Sequence, residues 1–230
     1  MVKMDRVHTG GGDGGETSLV DGSRTKKDSV NIHLVGSLDE INTTIGMVLM
    51  ETNRLAPHSD GGDSSSIQRV QAVASAALTR VQNELFDLGA ELGCRPDSIP
   101  DYLSLLSQTH SDVLLQEIEA WSKKTSPLTS FVLPGGAAPV AMLHLARTMT
   151  RRLERFLVEV ADGEDVKARP EVLQYINRLS DWFFVMGRWM SMMIGEPEPL
   201  WLPLGKRPAE KGVIEMLHQI SENDADFEAL

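Results

Sequence analysis

Apolar residues recur three and four apart along four long stretches of this chain, a spacing that lines them up on one face of a helix. In the first, from about 33 to 52, Leu34, Leu38, Ile41, Ile45 and Val48 with Leu49 fall at core spacing. Asp39 and Asn42 share a different face, where solvent is the default expectation. The second stretch, about 67 to 92, carries Ile67, Val70, Val73 with Ala74, Leu78, Val81, Leu85, Leu88 and Leu92 without a break. Gly93 and Pro96 end it, and the serines of the loop before it are placed to cap it. A shorter helix starts at Ser111-Asp112 and runs through Trp121 to about 124. The last two helices are expected over about 138–160 and 170–194, the final one built on Val172, Ile176, Leu179, Trp182, Phe183, Met186, Trp189, Met190 and Met193. No strand-period segment competes. Helices of this length reach about 30–39 Å. Four of them, a shorter fifth and short links predict an all-α fold, an antiparallel five-helix bundle. Residues 1–195 make this domain, opening on a glycine-rich loop over 1–30. Residues 196–230 are an acidic, proline-rich tail with one short helix near 209–221.

The helix over 138–160 holds the residues of chemical interest. Arg147, Arg151 and Glu154 fall on one stripe, with His144 one turn before them. Leu145, Thr148, Met149, Leu153 and Phe156 lie on other faces and are expected to pack. A solvated basic face is the simplest reading of two stacked arginines. The apolar flanks on both sides argue instead for a stripe turned into the bundle, where charge needs an answering anion. A carboxylate of another helix or a bound phosphate would serve. On the last helix Asn177 and Asp181 lie four apart, beside Arg178.

Composition narrows the function. The net charge of -11 argues against a nucleic-acid partner, which requires a basic footprint. It also means that an anionic ligand needs a local basic pocket working against the global field. Cys94 is the only cysteine, so no internal disulfide and no thiolate metal site is expected, and the compartment is read as reducing. The first residues lack the apolar core of a signal peptide. No run reaches the roughly 18 apolar residues of a membrane span, 182–194 being broken by Arg188. The expectation is a cytoplasmic protein.

Residues 10–28 combine Gly10-Gly-Gly-Asp-Gly-Gly15, Thr17-Ser18 and Lys26-Lys27. Glycines let backbone N–H groups approach an anion, and lysines add charge. The letters also satisfy G-x-G-x-x-G, but no strand precedes them and no βαβ unit follows, which excludes a Rossmann reading. Alone, such a loop is more often a linker. A ferritin-like di-metal bundle needs two Glu-x-x-His motifs on facing helices, and only Glu215-Met-Leu-His218 fits, so no metal ligands are assigned.

Several motifs, in order along nearly the whole chain, resemble the PduO-type ATP:cob(I)alamin adenosyltransferases. They are Gly12-Asp-Gly-Gly-Glu-Thr17, Asp21-Gly-Ser-Arg24, Lys27-Asp28, Gly36-Ser-Leu-Asp-Glu40, Leu85-Phe-Asp-Leu-Gly89 and Phe131-Val-Leu-Pro-Gly-Gly136. The most specific are His144-x-Ala-Arg-Thr-x-x-Arg-Arg-x-Glu-Arg155 and Tyr175-Ile-Asn-Arg-Leu-Ser-Asp181. The resemblance implies a ferritin-like five-helix bundle assembled as a homotrimer, with ATP, its Mg²⁺ and cobalamin held as substrates between subunits. The adenosyl group of ATP would pass to cobalt, forming adenosylcobalamin. It further implies ATP contacts at Thr9, Gly12, Thr17, Ser18, Lys27, Arg151, Arg152, Glu154, Arg155 and Asn177, with Gly10, Gly11, Asp13 and Gly15 in the same loop. Asp39 and Arg147 would form an interface ion pair, and Phe131 would displace the corrinoid's lower nitrogen ligand. A flavoprotein reductase and an adenosylcobalamin-dependent enzyme are the implied partners. One departure stands out: the family's Thr-x-Thr-Gly-Asp is here Thr9-Gly-Gly-Gly-Asp13, so backbone donors replace the second hydroxyl. A helical nucleotide sensor or corrinoid chaperone without turnover is the alternative.

Overall fold

A computed structural model describes residues 8, 10–56, 64–161, 163, 165–206, 213–214 and 217–220. Five helices carry it: α1 (Val30–Arg54), α2 (Ser64–Leu92), α3 (Gln108–Ser122), α4 (Ala138–Val160) and α5 (Pro170–Ile194). The bounds of α4 and α5 coincide with those read from periodicity. Each has Pro in its first turn, where the missing N–H costs nothing, and Gly195 closes α5 in the left-handed region at φ 79°. The other helices begin earlier than expected. Residues 64–66 form the first turn of α2 rather than preceding it. In α3 the Ser107 N–H donates to Nδ1 of His110 at 3.0 Å, which secures a turn ahead of Ser111.

α1 packs on α2 and α4, α4 on α5, and α5 closes the ring on α2 while carrying α3 on its other side. The core between them is Leu, Ile and Val of α1, α2 and α4, with Tyr175, Trp182 and Phe183 of α5 fully buried. Trp121 of α3 stacks on Trp189 at 5.7 Å.

Two features depart from the sequence reading. Part of the glycine-rich loop is an antiparallel hairpin, β1 (Glu16–Ser18) pairing with β2 (Arg24–Lys26), Thr17 opposite Thr25. Three-residue strands are too short to display a period. Asn42, expected at solvent, is buried: its Nδ2 donates to the Gln82 carbonyl at 3.0 Å, and Gln82 Nε2 returns a bond to the Asn42 carbonyl at 3.2 Å. Those two amides cross-link α1 to α2.

A larger polar network joins α2, α3 and α5. Glu84 is buried and accepts from Arg80 Nη1 at 2.7 Å and from the Tyr175 hydroxyl at 2.6 Å. Arg80 also donates to Glu117, which takes Trp182 Nε1 at 2.6 Å. Burial, then the Glu84 charge, hold the Tyr175 phenol far above its ordinary range, so it remains a donor.

The described residues fall into two units. The first comprises Met1–Pro127 and Pro134–Pro199. The second comprises Leu128–Leu133 and Leu200–Leu230; its residues 217–220 are helical, within the stretch expected to be, whose remainder lies largely outside the described residues. Among the described residues no helix is long and apolar enough to cross a membrane.

Tyr175→Phe removes one hydrogen bond to a buried carboxylate and should cost about 1.5–3 kcal/mol. The urea midpoint should fall with an unchanged slope. An unmoved midpoint would mean that Arg80 alone satisfies Glu84.

Candidate functional site

Two groups of polar residues stand on different parts of the first unit. One lies along the groove where α4 meets α5. α4 turns Leu143, Ala146, Thr150, Leu153 and Leu157 into the core, and this carries the stripe of His144, Arg147, Arg151 and Glu154 to its flank rather than to the interior. His144 is buried, Arg147 and Glu154 are half-buried, and Arg151 is exposed. Leu145 and Thr148, expected to pack, are exposed as well, because they lie on the side of α4 away from both neighbours.

α5 answers this stripe in antiparallel order. The Phe184 ring lies 6.1 Å from that of His144 and 5.9 Å from the Arg147 guanidinium. Asp181 supplies the negative charge felt by Arg147, and Asn177 Nδ2 donates to Glu154 Oε1 at 2.7 Å. The match is incomplete. Arg147 Nε is buried without a hydrogen-bond partner, and burial together with neighbouring Arg151 destabilises its charged form. The Arg151 guanidinium makes no ion pair among the described residues. Arg152 lies on the other flank and pairs with Glu40 of α1, whereas Arg155 Nη1 donates to the Arg151 carbonyl at 3.1 Å.

The second group is the hairpin. Gly10 and Gly15 adopt φ 70° and 83°, and turns close from Asp13 N–H to Gly10 carbonyl (3.3 Å) and from Gly15 N–H to Gly12 carbonyl (3.2 Å). Lys27 lies over this loop: a Cβ at Gly12 would stand 3.1 Å from its Nζ and 3.4 Å from the Glu16 carbonyl. Glycine at 12 therefore leaves the ammonium room over the loop. Arg24 Nη2 holds the Gly11 carbonyl at 3.0 Å. Asp21, which carried no assigned role in the sequence, closes the tip by accepting from Ser23 N–H at 2.8 Å and Arg95 N–H at 3.1 Å. These bonds, those of Ser23 first, hold its carboxyl below the ordinary range.

A model of the cobalamin adenosyltransferase family matches residues 7–190, from the start of the hairpin loop into α5. The chain belongs to that family. It is 36% identical over 199 residues to the cobalamin adenosyltransferase of Cupriavidus metallidurans, a span of 86% of this chain and 95% of that one. It is 35% identical over 190 residues to the corrinoid adenosyltransferase of Bacillus subtilis, covering 83% and 89%. Among solved structures it resembles a variant PduO-type ATP:corrinoid adenosyltransferase from Lactobacillus reuteri complexed with cobalamin and ATP. There the TM-score is 0.73 at 26% identity, over 86% of this chain and 100% of that one.

Of the residues that family resemblance marks, Arg147, Arg151, Glu154 and Asn177 are brought together on the α4–α5 groove. Gly10, Gly11, Gly12, Asp13, Gly15, Thr17, Ser18 and Lys27 are together in the hairpin and its loop. Thr9 lies outside the described residues. No contact among the described residues joins these two groups. Asp39 and Arg147 do not meet either: Asp39 is exposed and lines a cleft of about 310 Å³ with Val20, Ile32, Val35, Phe86 and Ala90. Phe131 belongs to the second unit and is 76% exposed, which rules out a plain core aromatic. In that unit Trp201 was overlooked in the sequence. Its backbone N–H donates to the Phe131 carbonyl at 2.7 Å, the two rings stand 6.0 Å apart, and both line a cavity of about 680 Å³. Among the described residues no three His, Cys, Asp or Glu side chains are grouped to hold a metal. Glu215 of the one Glu-x-x-His motif lies outside them.

Burial first, then the charge of Arg147, depress the His144 pKa, with Glu198 opposing them. An unfolded histidine titrates near about 6.5. Between that pH and the depressed folded value only the unfolded chain takes the proton. Stability should therefore fall as pH drops through this window, by at most about 1.4 kcal/mol per pH unit for this one group. His144→Gln should flatten that part of the stability curve; an unchanged slope would show that His144 charges freely when folded.

Proposed function

We propose that this chain transfers the 5′-deoxyadenosyl group of ATP to the cobalt of cob(I)alamin, releasing triphosphate and forming adenosylcobalamin. The observation that carries this reading is the single family match running from the hairpin loop into the last helix. The relatives from C. metallidurans and B. subtilis are adenosyltransferases, and the L. reuteri relative was solved with both cobalamin and ATP.

The reaction forms a cobalt–carbon bond with the electron pair of cob(I)alamin and breaks the bond from the ribose 5′ carbon to triphosphate oxygen. The corrinoid supplies the nucleophile, so the protein supplies position and electrostatics. Negative charge gathers on the leaving triphosphate. Arg151, exposed and without an ion pair among the described residues, Lys27 and the hairpin N–H groups are the donors suited to it, with Mg²⁺ arriving on the nucleotide. Glu154 and Asn177 complete the nucleotide side of the α4–α5 groove, with Arg155 next to Arg151 on α4 and Arg152 offering a further cation from the flank that faces α1. Phe131 serves as the apolar wall that keeps a lower ligand from cobalt during reduction of cob(II)alamin.

A homotrimer with sites between subunits is supported by the separation of the two groups within one chain. The hairpin of one subunit would face the arginine groove of the next. Asp39 would meet Arg147, whose Nε has no hydrogen-bond partner among the described residues, across that contact. The bundle over 1–195 is the adenosyltransferase domain and 196–230 a tail attached to it, working in the cytoplasm with a flavoprotein reductase upstream and an adenosylcobalamin-dependent enzyme downstream.

The test is an anaerobic assay of purified protein with ATP and cob(I)alamin, following adenosylcobalamin absorbance. Turnover is expected, and Arg151→Ala should abolish it with the bundle still folded. Binding of ATP and corrinoid without triphosphate release would establish a sensor or chaperone instead. Because Phe131 is exposed, Phe131→Ala should leave the melting temperature almost unchanged. It should depress assays that start from cob(II)alamin far more than those started from cob(I)alamin. Equal losses in both would remove the ligand-displacement role.

A further inference from the structure

The hairpin is fastened to the bundle at its tip by two hydrogen bonds, one between backbone groups and one to the Asp21 carboxylate. Val20 N–H donates to the Gly93 carbonyl at 2.9 Å, and Asp21 takes Arg95 N–H. The receiving segment, residues 92–95, has just left α2, and its carbonyls are divided between two recipients. Those of Leu92 and Cys94 accept from Nδ2 of Asn31 at 2.8 and 3.1 Å, whereas the carbonyl between them goes to the hairpin. Asn31 is 3% exposed, and its amide also lies 3.3 Å from the Asp165 carbonyl in the α4–α5 connection. Gly93 tolerates no side chain: a Cβ would stand 2.8 Å from the Gly89 carbonyl and 3.1 Å from Val20 Cγ2.

Asn31 occupies the first turn of α1, four residues past Lys27. The base of the hairpin runs straight into that turn, and the tip is pinned to Gly93 and Arg95. One buried amide thus connects both attachments. It fixes the segment that receives the tip to the helix that carries the base, and so sets the angle at which the loop glycines, Ser18 and Lys27 are presented.

We propose that Asn31 is a positioning residue for the nucleotide, acting through Gly93 and Asp21 to hold the hairpin at the angle that ATP requires. This rests on the reading of the hairpin as an ATP-binding element. A role limited to capping α2 would also explain buried bonds to Leu92 and Cys94. Cutting the bonds separates the two roles. Loss of a cap lowers stability alone, whereas loss of hairpin position weakens ATP while sparing the corrinoid.

The experiment compares Asn31→Ala and Asp21→Ala with the unaltered protein. Asp21 is half-buried at the tip and outside the helical core, so its variant leaves the α2 end intact and folds even where Asn31→Ala does not. Hydrogen exchange of the Val20 amide, read in the protein without ligands, should quicken about tenfold or more in both variants. KM for ATP should rise about fivefold or more, with KM for cob(I)alamin and kcat at saturating ATP held within about twofold. Asp21→Asn, keeping one acceptor oxygen, should fall between. A lower melting temperature in Asn31→Ala with unchanged Val20 exchange and unchanged KM for ATP would overturn the proposal and leave Asn31 as a cap. So would an Asp21→Ala protein that matches the unaltered one in both readouts. Failure of the unaltered protein to bind ATP at all would remove the functional reading, and with it the nucleotide role, while the exchange data would still report whether Asn31 and Asp21 fix the hairpin.

Discussion

Arg147 sets the problem that the rest of the molecule answers. Its guanidinium is half-buried over the Phe184 ring, its Nε is sealed from solvent without a hydrogen-bond partner, and Arg151 adds repulsion one turn away. Asp181 relieves this only by charge at a distance. A buried donor left unmatched costs about 1–3 kcal/mol, and more when it belongs to a charged group. A protein keeps such a group where something outside the chain completes it. Asp39, which also has no ion pair among the described residues, stands on α1 beside an open apolar cleft and presents the complementary charge. In the assembly proposed above these would be the two halves of one contact, displayed on separate parts of the same bundle, as a closed assembly of identical subunits requires.

The bundle has to hold those faces rigid. Greasy packing fixes how far apart helices stand but slides easily along their axes, and here polar cross-links stop the sliding. Asn42 and Gln82 lock α1 to α2 through backbone carbonyls, and Glu84, Arg80, Glu117, Tyr175 and Trp182 lock α2, α3 and α5. At the end of α2, Arg169 grips Glu91 with two bonds of 2.7 and 2.9 Å and holds the Leu106 carbonyl. The hairpin docks immediately beyond that clamp. Its glycines lie within a frame anchored at both base and tip, so on the proposed reading of the hairpin as an ATP-binding element the entropy of ordering it falls on few residues.

Helices were legible in the sequence wherever one face repeats without interruption. α4 and α5 could be bounded to the residue because Pro and Gly punctuate them. The arginine stripe was visible too, but not its direction: periodicity says which residues share a face, and only packing against α1 and α5 decides which face turns inward. Asn42 was expected at solvent, and Asn31 and Glu84 drew no reading, since each is satisfied by groups dozens of positions away, such as Gln82 for Asn42 and Tyr175 for Glu84. The hairpin escaped notice because three residues per strand carry no period. Trp201 could have been suspected, standing as a large aromatic among Leu200, Leu202 and Leu204 in a proline-rich tail.

The central claim is that one working site is built from the hairpin of one subunit and the α4–α5 groove of another. Co-assembly of two inactive chains tests it most directly: Lys27→Ala, which spoils the hairpin, with Arg151→Ala, which spoils the groove. Mixed at random in equal amounts, about a quarter of the shared sites would combine an intact hairpin with an intact groove. Adenosylcobalamin formation should therefore return to about a quarter of the unaltered rate, although neither chain alone turns over. Mixed assemblies that form but stay inactive would contradict the account, placing both groups of residues in a site that each chain must complete by itself.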